Sequence, residues 1–375
     1  MIPRDLRMIL AGYTLYKAGI NKKGQTDRAC PPLPGYPQNF TRDGIITGIL
    51  TSNASLLHDQ LLFSGDRQGE HKDPFTGEEP GKIFHQYPPV IYRGRSTEFN
   101  ACDTTALYLI GHDIYKKVSG DGSLAEREKE RIERASLYIL NHIRDGWFSV
   151  DPLFSDADEY ALKVTYWKDS EVAKRTGGMP VYPIIYTFAH IQNLRALRAA
   201  DTLLEKHTYK HTTEVMLSEL IQLWQSNRGL YRIARDARGP IEGISSGLLH
   251  GLAYLEPEDV PENITQRISL FSEPLETPVG YRTIDAETEK DMHDKYHART
   301  VWTYEQAMIH MAARKHNLPQ AQEVSERIIP HITNATPELF LIDESGNSKP
   351  DGNDTQLWSI AAQDYFAHQE RAILL

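Results

Sequence analysis

The chain has 375 residues, 40% hydrophobic and 25% charged, with 51 acidic against 41 basic residues for a formal charge of -10. That apolar fraction supplies a sizeable core, and no run approaches the ~20 apolar residues of a membrane span, which excludes a helical membrane protein. The basic residues are scattered, so the phosphate-neutralising surface of a nucleic-acid binder is missing and no nucleic acid is expected as a partner.

In chain order, residues 5–17 read as an amphipathic helix with Leu6, Ile9, Leu10, Tyr13 and Tyr16 on one face. A Gly- and Pro-rich loop follows, then a helix over 42–61. Residues 64–94, with Pro74, Pro80, Pro88 and Pro89, read as a second long loop. Further helices are expected over 103–117, 124–142, 183–206, 213–225, 241–254, 264–271, 300–316, 320–332 and 355–369. Few segments alternate as strands, and no low-complexity tract or Gly/Ser linker interrupts the pattern. Long polar loops fall at 19–41, 64–101, 146–180 and 341–354. Simple bundles favour short connections, whereas a closed ring of helical hairpins gathers long loops on one face. The expectation is therefore an all-α toroid of six hairpins forming one domain over residues 1–375.

The two cysteines, Cys30 and Cys102, make no disulfide framework and no CxxC metal pattern. Together with an N-terminus lacking an apolar signal-peptide core, they point to a reducing cytoplasm. His293 and His297 stand at i,i+4 spacing beside Asp291 and Asp294, but a third metal ligand is not evident and a polar turn explains them equally well, so no metal is expected. Gly243-Ile244-Ser245-Ser246-Gly247 matches GxSxG, yet a turn rather than a strand precedes it, so small residues at a helix contact are the better reading. Phosphate and dinucleotide loops are missing, and no cofactor is expected.

Three loops concentrate acidic, basic and aromatic residues. In Asn39-Phe40-Thr41-Arg42-Asp43-Gly44, Asp43 can accept two sugar hydroxyl protons while Arg42 fixes its orientation; the alternative is a helix cap with a salt bridge. In Thr165-Tyr166-Trp167-Lys168-Asp169-Ser170, Asp169 can serve as a general acid beside an apolar Trp face, with Trp167 stacking on a pyranose; the alternative is a capping Asp and a core Trp. The third joins Glu338 to Gln356 and Trp358, an amide and a stacking surface, and its alternative is a solvated carboxylate. Two separated carboxylates with aromatic platforms are the usual equipment of glycoside hydrolysis.

Eight motifs in order carry a resemblance. They are Phe40-Thr41-Arg42-Asp43-Gly44, Glu79-Pro80-Gly81-Lys82-Ile83-Phe84-His85-Gln86, Asn100-Ala101-Cys102-Asp103-Thr104-Thr105, Trp167-Lys168-Asp169-Ser170, Gly280-Tyr281-Arg282-Thr283-Ile284, Tyr296-His297-Ala298-Arg299-Thr300-Val301-Trp302, Pro337-Glu338-Leu339-Phe340 and Gln356-Leu357-Trp358-Ser359. The chain resembles the amylo-α-1,6-glucosidase and glucoamylase-like (α/α)6-barrel glycoside hydrolases. The resemblance implies an inverting, exo-acting α-glucosidase with a carbohydrate substrate, Asp169 as general acid and Glu338 as general base. It implies that Arg42 and Asp43 hold the non-reducing-end sugar, and that Asp103, Trp167, Lys168, Arg282, His297, Gln356 and Trp358 line the pocket. Tyr166, Glu171-Val172, Gln86 and Ala298-Arg299 depart from the family pattern, and most of these are expected at the pocket mouth. A trehalase-like or glucosylglycerate-hydrolase-like enzyme, or a carbohydrate-binding toroid without catalysis, are the alternatives. The oligomeric state is not legible.

Overall fold

The computed structural model describes residues 38–169, 180–290, 292, 296–353, 356–373 and 375. The helix expected over 5–17 lies outside the described residues.

Among the described residues the α-helices are α1 (Thr41–Leu50), α2 (Ala54–Gly65), α3 (Thr104–Ser119), α4 (Ser123–Arg127), α5 (Lys129–Asn141), α6 (Thr187–Leu203) and α7 (Lys210–Gln225). They continue with α8 (Gly247–Gly251), α9 (Glu262–Phe271), α10 (Ala286–Glu289), α11 (Thr303–Lys315), α12 (Pro319–Glu326), α13 (Ile329–Ile332) and α14 (Leu357–Ala367). Packing follows a closed circuit: α1 lies against α3, α3 against α6, α6 against α8, α8 against α11, α11 against α14, and α14 returns to α1. Helices α2, α5, α7, α9, α12 and α13 pack outside this circuit, each against an inner neighbour. The result is an all-α toroid of the (α/α)-barrel type.

The sequence explains which helices go inside. The inner helices are buried nearly all round, and the polar side chains they carry are buried along with the apolar ones. Every residue of α1 except Asp43 is buried, and α6 buries Thr187 through Leu197 without interruption. Outer helices such as α5 bury only one face, through Ile132, Ala135, Ser136, Tyr138 and Ile139. One contiguous apolar cluster runs through all six inner helices, from Ile45 through Leu109, Leu194, Leu249 and Met308 to Ala361. No helix among the described residues is long and apolar enough to cross a membrane.

Several expected elements divide. The helix expected over 42–61 breaks at Thr51-Ser52-Asn53, where Ser52 takes a positive φ of 47° and Asn53 caps α2 by accepting from the Leu56 amide at 3.0 Å. The 124–142 helix breaks at Glu128, and the 320–332 helix at Arg327-Ile328. The first part of the expected 241–254 helix is a strand, Gly239–Glu242, and only Gly247–Gly251 is α-helical before a 3-10 turn over Leu252–Tyr254.

Short strands are the features that periodicity missed. Two three-stranded antiparallel sheets join Ile185–Tyr186, Arg232–Asp236 and Gly239–Glu242, and Thr300–Trp302, Leu339–Ile342 and Ser348–Asp351. Strands Asn39–Phe40, Ile185–Tyr186 and Thr300–Trp302 run directly into α1, α6 and α11. These sheets tie the long loops together at the N-terminal ends of the inner helices.

Candidate active site

A pocket of about 310 Å³ opens at that end, lined by Arg42, Asp43, His85, Gln86, Trp167, Asp169, Tyr296, His297, Trp302, Glu338, Asn353, Gln356 and Trp358 among others. Its residues arrive from separate loops, from the strand Thr300–Trp302 and from the first turns of α1 and α14, and backbone pairing holds the segments together. Strand Asn39–Phe40 pairs with Gln86–Tyr87, and the Thr41 amide donates to the His85 carbonyl at 3.0 Å. That places the first turn of α1 beside the 85–86 segment. His85 stands edge-on to Phe40, and burial together with the Arg42 charge pushes its pKa down to about 3, so the ring is neutral.

Three carboxylates face the pocket. Burial raises the Asp43 carboxyl, Arg42 draws it back, and the neighbouring Glu338 and Asp169 charges raise it again, leaving it at about 7. Glu338 is buried and held at both oxygens. Tyr296 donates its hydroxyl to Oε1, while the Asn353 backbone amide and side-chain amide each donate to Oε2 at 2.8 Å. Gly352 makes this possible, because its φ is +73° and a Cβ there would stand 2.6 Å from Glu338 Oε2. Three donors fix the orientation of this carboxylate. Asp169 reaches the same pocket from the 166–169 loop, next to Trp167.

Aromatic rings build the wall. Trp358 stacks on Tyr304 with centroids 4.0 Å apart, and His297 stacks on Trp302 at 4.7 Å and 6°. Trp167 packs edge-on to His297, Trp302 and Tyr304. Gln356 accepts from the Trp358 indole nitrogen, which orients both. Burial first, then the Lys168 and Arg42 charges, hold His297 well below the ordinary imidazole range.

Four expectations need correction. Arg42 does not orient Asp43; its guanidinium grips Asp103 in a fork, Nε to Oδ2 at 2.9 Å and Nη2 to Oδ1 at 2.8 Å. Asp103 itself is fully buried behind Arg42 and forms no part of the pocket wall. Lys168 likewise turns away, into a buried cluster with Ser245, Ser246 and Glu305. Arg282 sits outside the pocket, paired with Glu289, which also binds Arg299. Each of these chains carries a charge that a neighbouring buried charge captures, and the sequence does not reveal that partner.

The departures from the family pattern divide too. Gln86 lines the pocket, but Tyr166 is buried and stacked on Tyr186 at 4.6 Å, Ala298 is fully buried, and Arg299 pairs with Glu289. Glu171 and Val172 lie outside the described residues, as do Asp291, His293 and Asp294. Among the described residues no group of three or more His, Cys, Asp or Glu could hold a metal. The long Glu79–Gln86 motif contributes only its last two residues to the pocket. Glu79 binds Lys82 at 3.1 Å and His142 at 2.7 Å; burial opposes this, but the two partners bring its pKa down to about 2. Sequence reasoning missed His85, Trp302 and Asn353 as pocket residues and left Tyr296 without a role. His85, Tyr296 and Trp302 did stand within the quoted motifs, whereas Asn353 carried only the turn signal of Gly352-Asn353.

No protein-family model matches the chain, and no curated protein matches it in sequence. Solved structures do match in shape. The GH63 mannosylglycerate hydrolase of Thermus thermophilus in complex with glucose aligns over 90% of this chain and 95% of its own, with TM-score 0.63 at 13% identity. The fold is that of the (α/α)-barrel glycosidases. The same hydrolase in complex with Tris and D-glycerate aligns over 96% of this chain and 100% of its own, with TM-score 0.64 at 12% identity. A GH78 rhamnosidase of Bacillus sp. GL1 matches 89% of this chain with TM-score 0.59 at 13% identity, over 32% of its own length.

Proposed function

We propose that the chain is an inverting, exo-acting glycoside hydrolase, of α-glucosidase type, with Asp169 as general acid and Glu338 as general base. The observation that carries this reading is that both carboxylates line one aromatic-walled pocket at the loop end of an (α/α) barrel. Asp169 would protonate the glycosidic oxygen. Glu338, fixed by Tyr296 and Asn353, would take a proton from the attacking water on the opposite ring face, a task that a set orientation serves. Inversion requires the two carboxyl groups to stand about 6.5–9.5 Å apart, leaving room for that water. Asp43 would accept hydroxyl protons of the sugar, and Trp358 and Trp167 would present ring faces and edges to it.

A glycoside of glycerate is the second reading, favoured because a similar barrel is a mannosylglycerate hydrolase and was solved with D-glycerate. The test is hydrolysis of maltose, isomaltose, kojibiose, nigerose, trehalose, panose, glucosylglycerate, mannosylglycerate and glycogen by the wild type, D169N and E338Q. The expected result is turnover of at least one member by the wild type, and a loss of about a thousandfold or more in each variant with sugar binding retained. Near-wild-type rates in either variant would remove that residue from its role.

A further inference from the structure

Lys168 immediately precedes Asp169, and it is fully buried. Trp167 and Asp169 on either side line the pocket, so the lysine between them is turned the other way, into the ring. Its ammonium donates to Ser245 Oγ at 3.0 Å, Ser246 Oγ at 2.8 Å and the Thr283 carbonyl at 3.2 Å. Three acceptors satisfy all three protons of an ammonium. Glu305, fully buried in the first turn of α11, stands 3.6 Å from the ammonium and accepts the Ser246 hydroxyl proton at 2.7 Å. Ser245 and Ser246 immediately precede α8. The lysine thus fastens the 166–169 loop to two adjacent inner helices, α8 and α11, at their pocket ends.

This arrangement gives the GxSxG sequence a use unrelated to nucleophilic attack, since both hydroxyls are engaged by Lys168 and both serines are buried. Other parts of the molecule offer less. The exposed apolar hairpin around Ile91 and Tyr92 shows nothing that covers it, and in the cleft by Asp364 and Arg371 the Asp364 carboxyl already faces His368 at 3.2 Å.

We infer that Lys168, seated between Ser245, Ser246 and Glu305, is a positioning residue that sets the reach of Asp169 toward the leaving-group oxygen. The inference rests on the reading of Asp169 as general acid. A misplaced acid slows only substrates whose leaving group must be protonated, so leaving-group dependence separates this role from general loosening of the fold. The experiment uses the full chain carrying K168M/E305Q, which removes both buried charges together, and S245A, which keeps the ion pair and withdraws one acceptor. Rates are compared on the disaccharide hydrolysed best and on α-glucosyl fluoride, whose fluoride departs with little help from an acid.

For the double variant, kcat on the disaccharide is expected to fall about a hundredfold, the scale of an ~1 Å displacement of a catalytic group. On the fluoride it should fall less than about fivefold, with KM within about threefold on both. S245A should show the same selectivity at about tenfold, and it carries the test if the double variant fails to fold. Equal losses on both substrates, or wild-type rates on both, would overturn the inference. D169N run alongside keeps the two readings distinguishable. If D169N spares the fluoride and the Lys168-site variants do not, positioning alone fails; if D169N hits both substrates equally, the acid assignment fails first.

Discussion

Replacing Arg42 with methionine removes the guanidinium but keeps much of the apolar stem. In the native protein that guanidinium is 4% exposed and Asp103 is 0% exposed, joined by two hydrogen bonds of 2.8 and 2.9 Å. Burial opposes the Arg42 charge, yet Asp103 more than compensates and its pKa lies above the ordinary arginine value. Without Arg42, Asp103 is left as a buried carboxylate with its two strongest donors gone. Breaking a buried pair from one side typically costs about 3–5 kcal/mol. For a chain of this length that corresponds to a fall in Tm of about 4–6 °C. The assay is thermal unfolding of R42M, D103N and R42M/D103N as a double-mutant cycle. Because each single change strands its partner, the double variant should lie well above the sum of the singles, with a coupling energy of at least ~2 kcal/mol. Stabilities that add within about 0.5 kcal/mol would refute the claim that this pair is the scaffold beneath the first turn of α1. R42M should also bind sugar poorly at temperatures where it remains folded, because Asp43 shares that turn.

Gly352→Ala should lower kcat by about tenfold or more while moving Tm little, because the new Cβ lands 2.6 Å from Glu338 Oε2 and at a φ of +73°; steady-state kinetics with a melting curve checks both halves. Asp43 supplies the pH dependence. Its carboxyl is raised to about 7 in the folded protein, so as pH rises past the unfolded value near 4 the unfolded state ionises first and stability falls until about pH 7. Differential scanning calorimetry should show this downward component in the wild type and lose it in D43N. Sugar affinity should run the other way, tightening from about pH 5 to 8 as Asp43 gains the charge that accepts hydroxyl protons. Calorimetric titration of catalytically silent D169N with and without D43N tests that, and a flat profile in D169N alone would count against the assignment.

The ring of helices was legible because burial on several sides leaves a compositional trace: the stretches that became α3, α6 and α11 carry apolar residues on more than one face, although polar residues such as Asp113, Gln192 and Glu305 are buried among them. Their exact limits were not, because two- and three-residue strands such as Ile185–Tyr186 and Thr300–Trp302 are too short to alternate visibly, and only pairing with distant partners makes them strands. The pocket followed the same division. Asp43, Trp167, Asp169, His297, Glu338, Gln356 and Trp358 do meet in it; Asp43 and Trp358 sit in the first turns of α1 and α14, and the others in connecting segments rich in acidic and aromatic residues. Asp103, Lys168 and Arg282 share those motifs and do not, because a charged side chain goes where a counter-charge is buried, and Arg42, Glu305 and Glu289 lie from 7 to 137 residues away in sequence. The fixing of Glu338 by Asn353 was illegible for a related reason, since the two meet only across the turn that Gly352 permits.

The most direct test of the central claim is proton NMR of the sugar released in the first minutes of hydrolysis, before mutarotation mixes the anomers. A single displacement by water, with Asp169 as acid and Glu338 as base, predicts β-glucose from an α-linked glucoside. Release of α-glucose from the same substrate would show retention, make Glu338 or another carboxylate a nucleophile, and contradict the account.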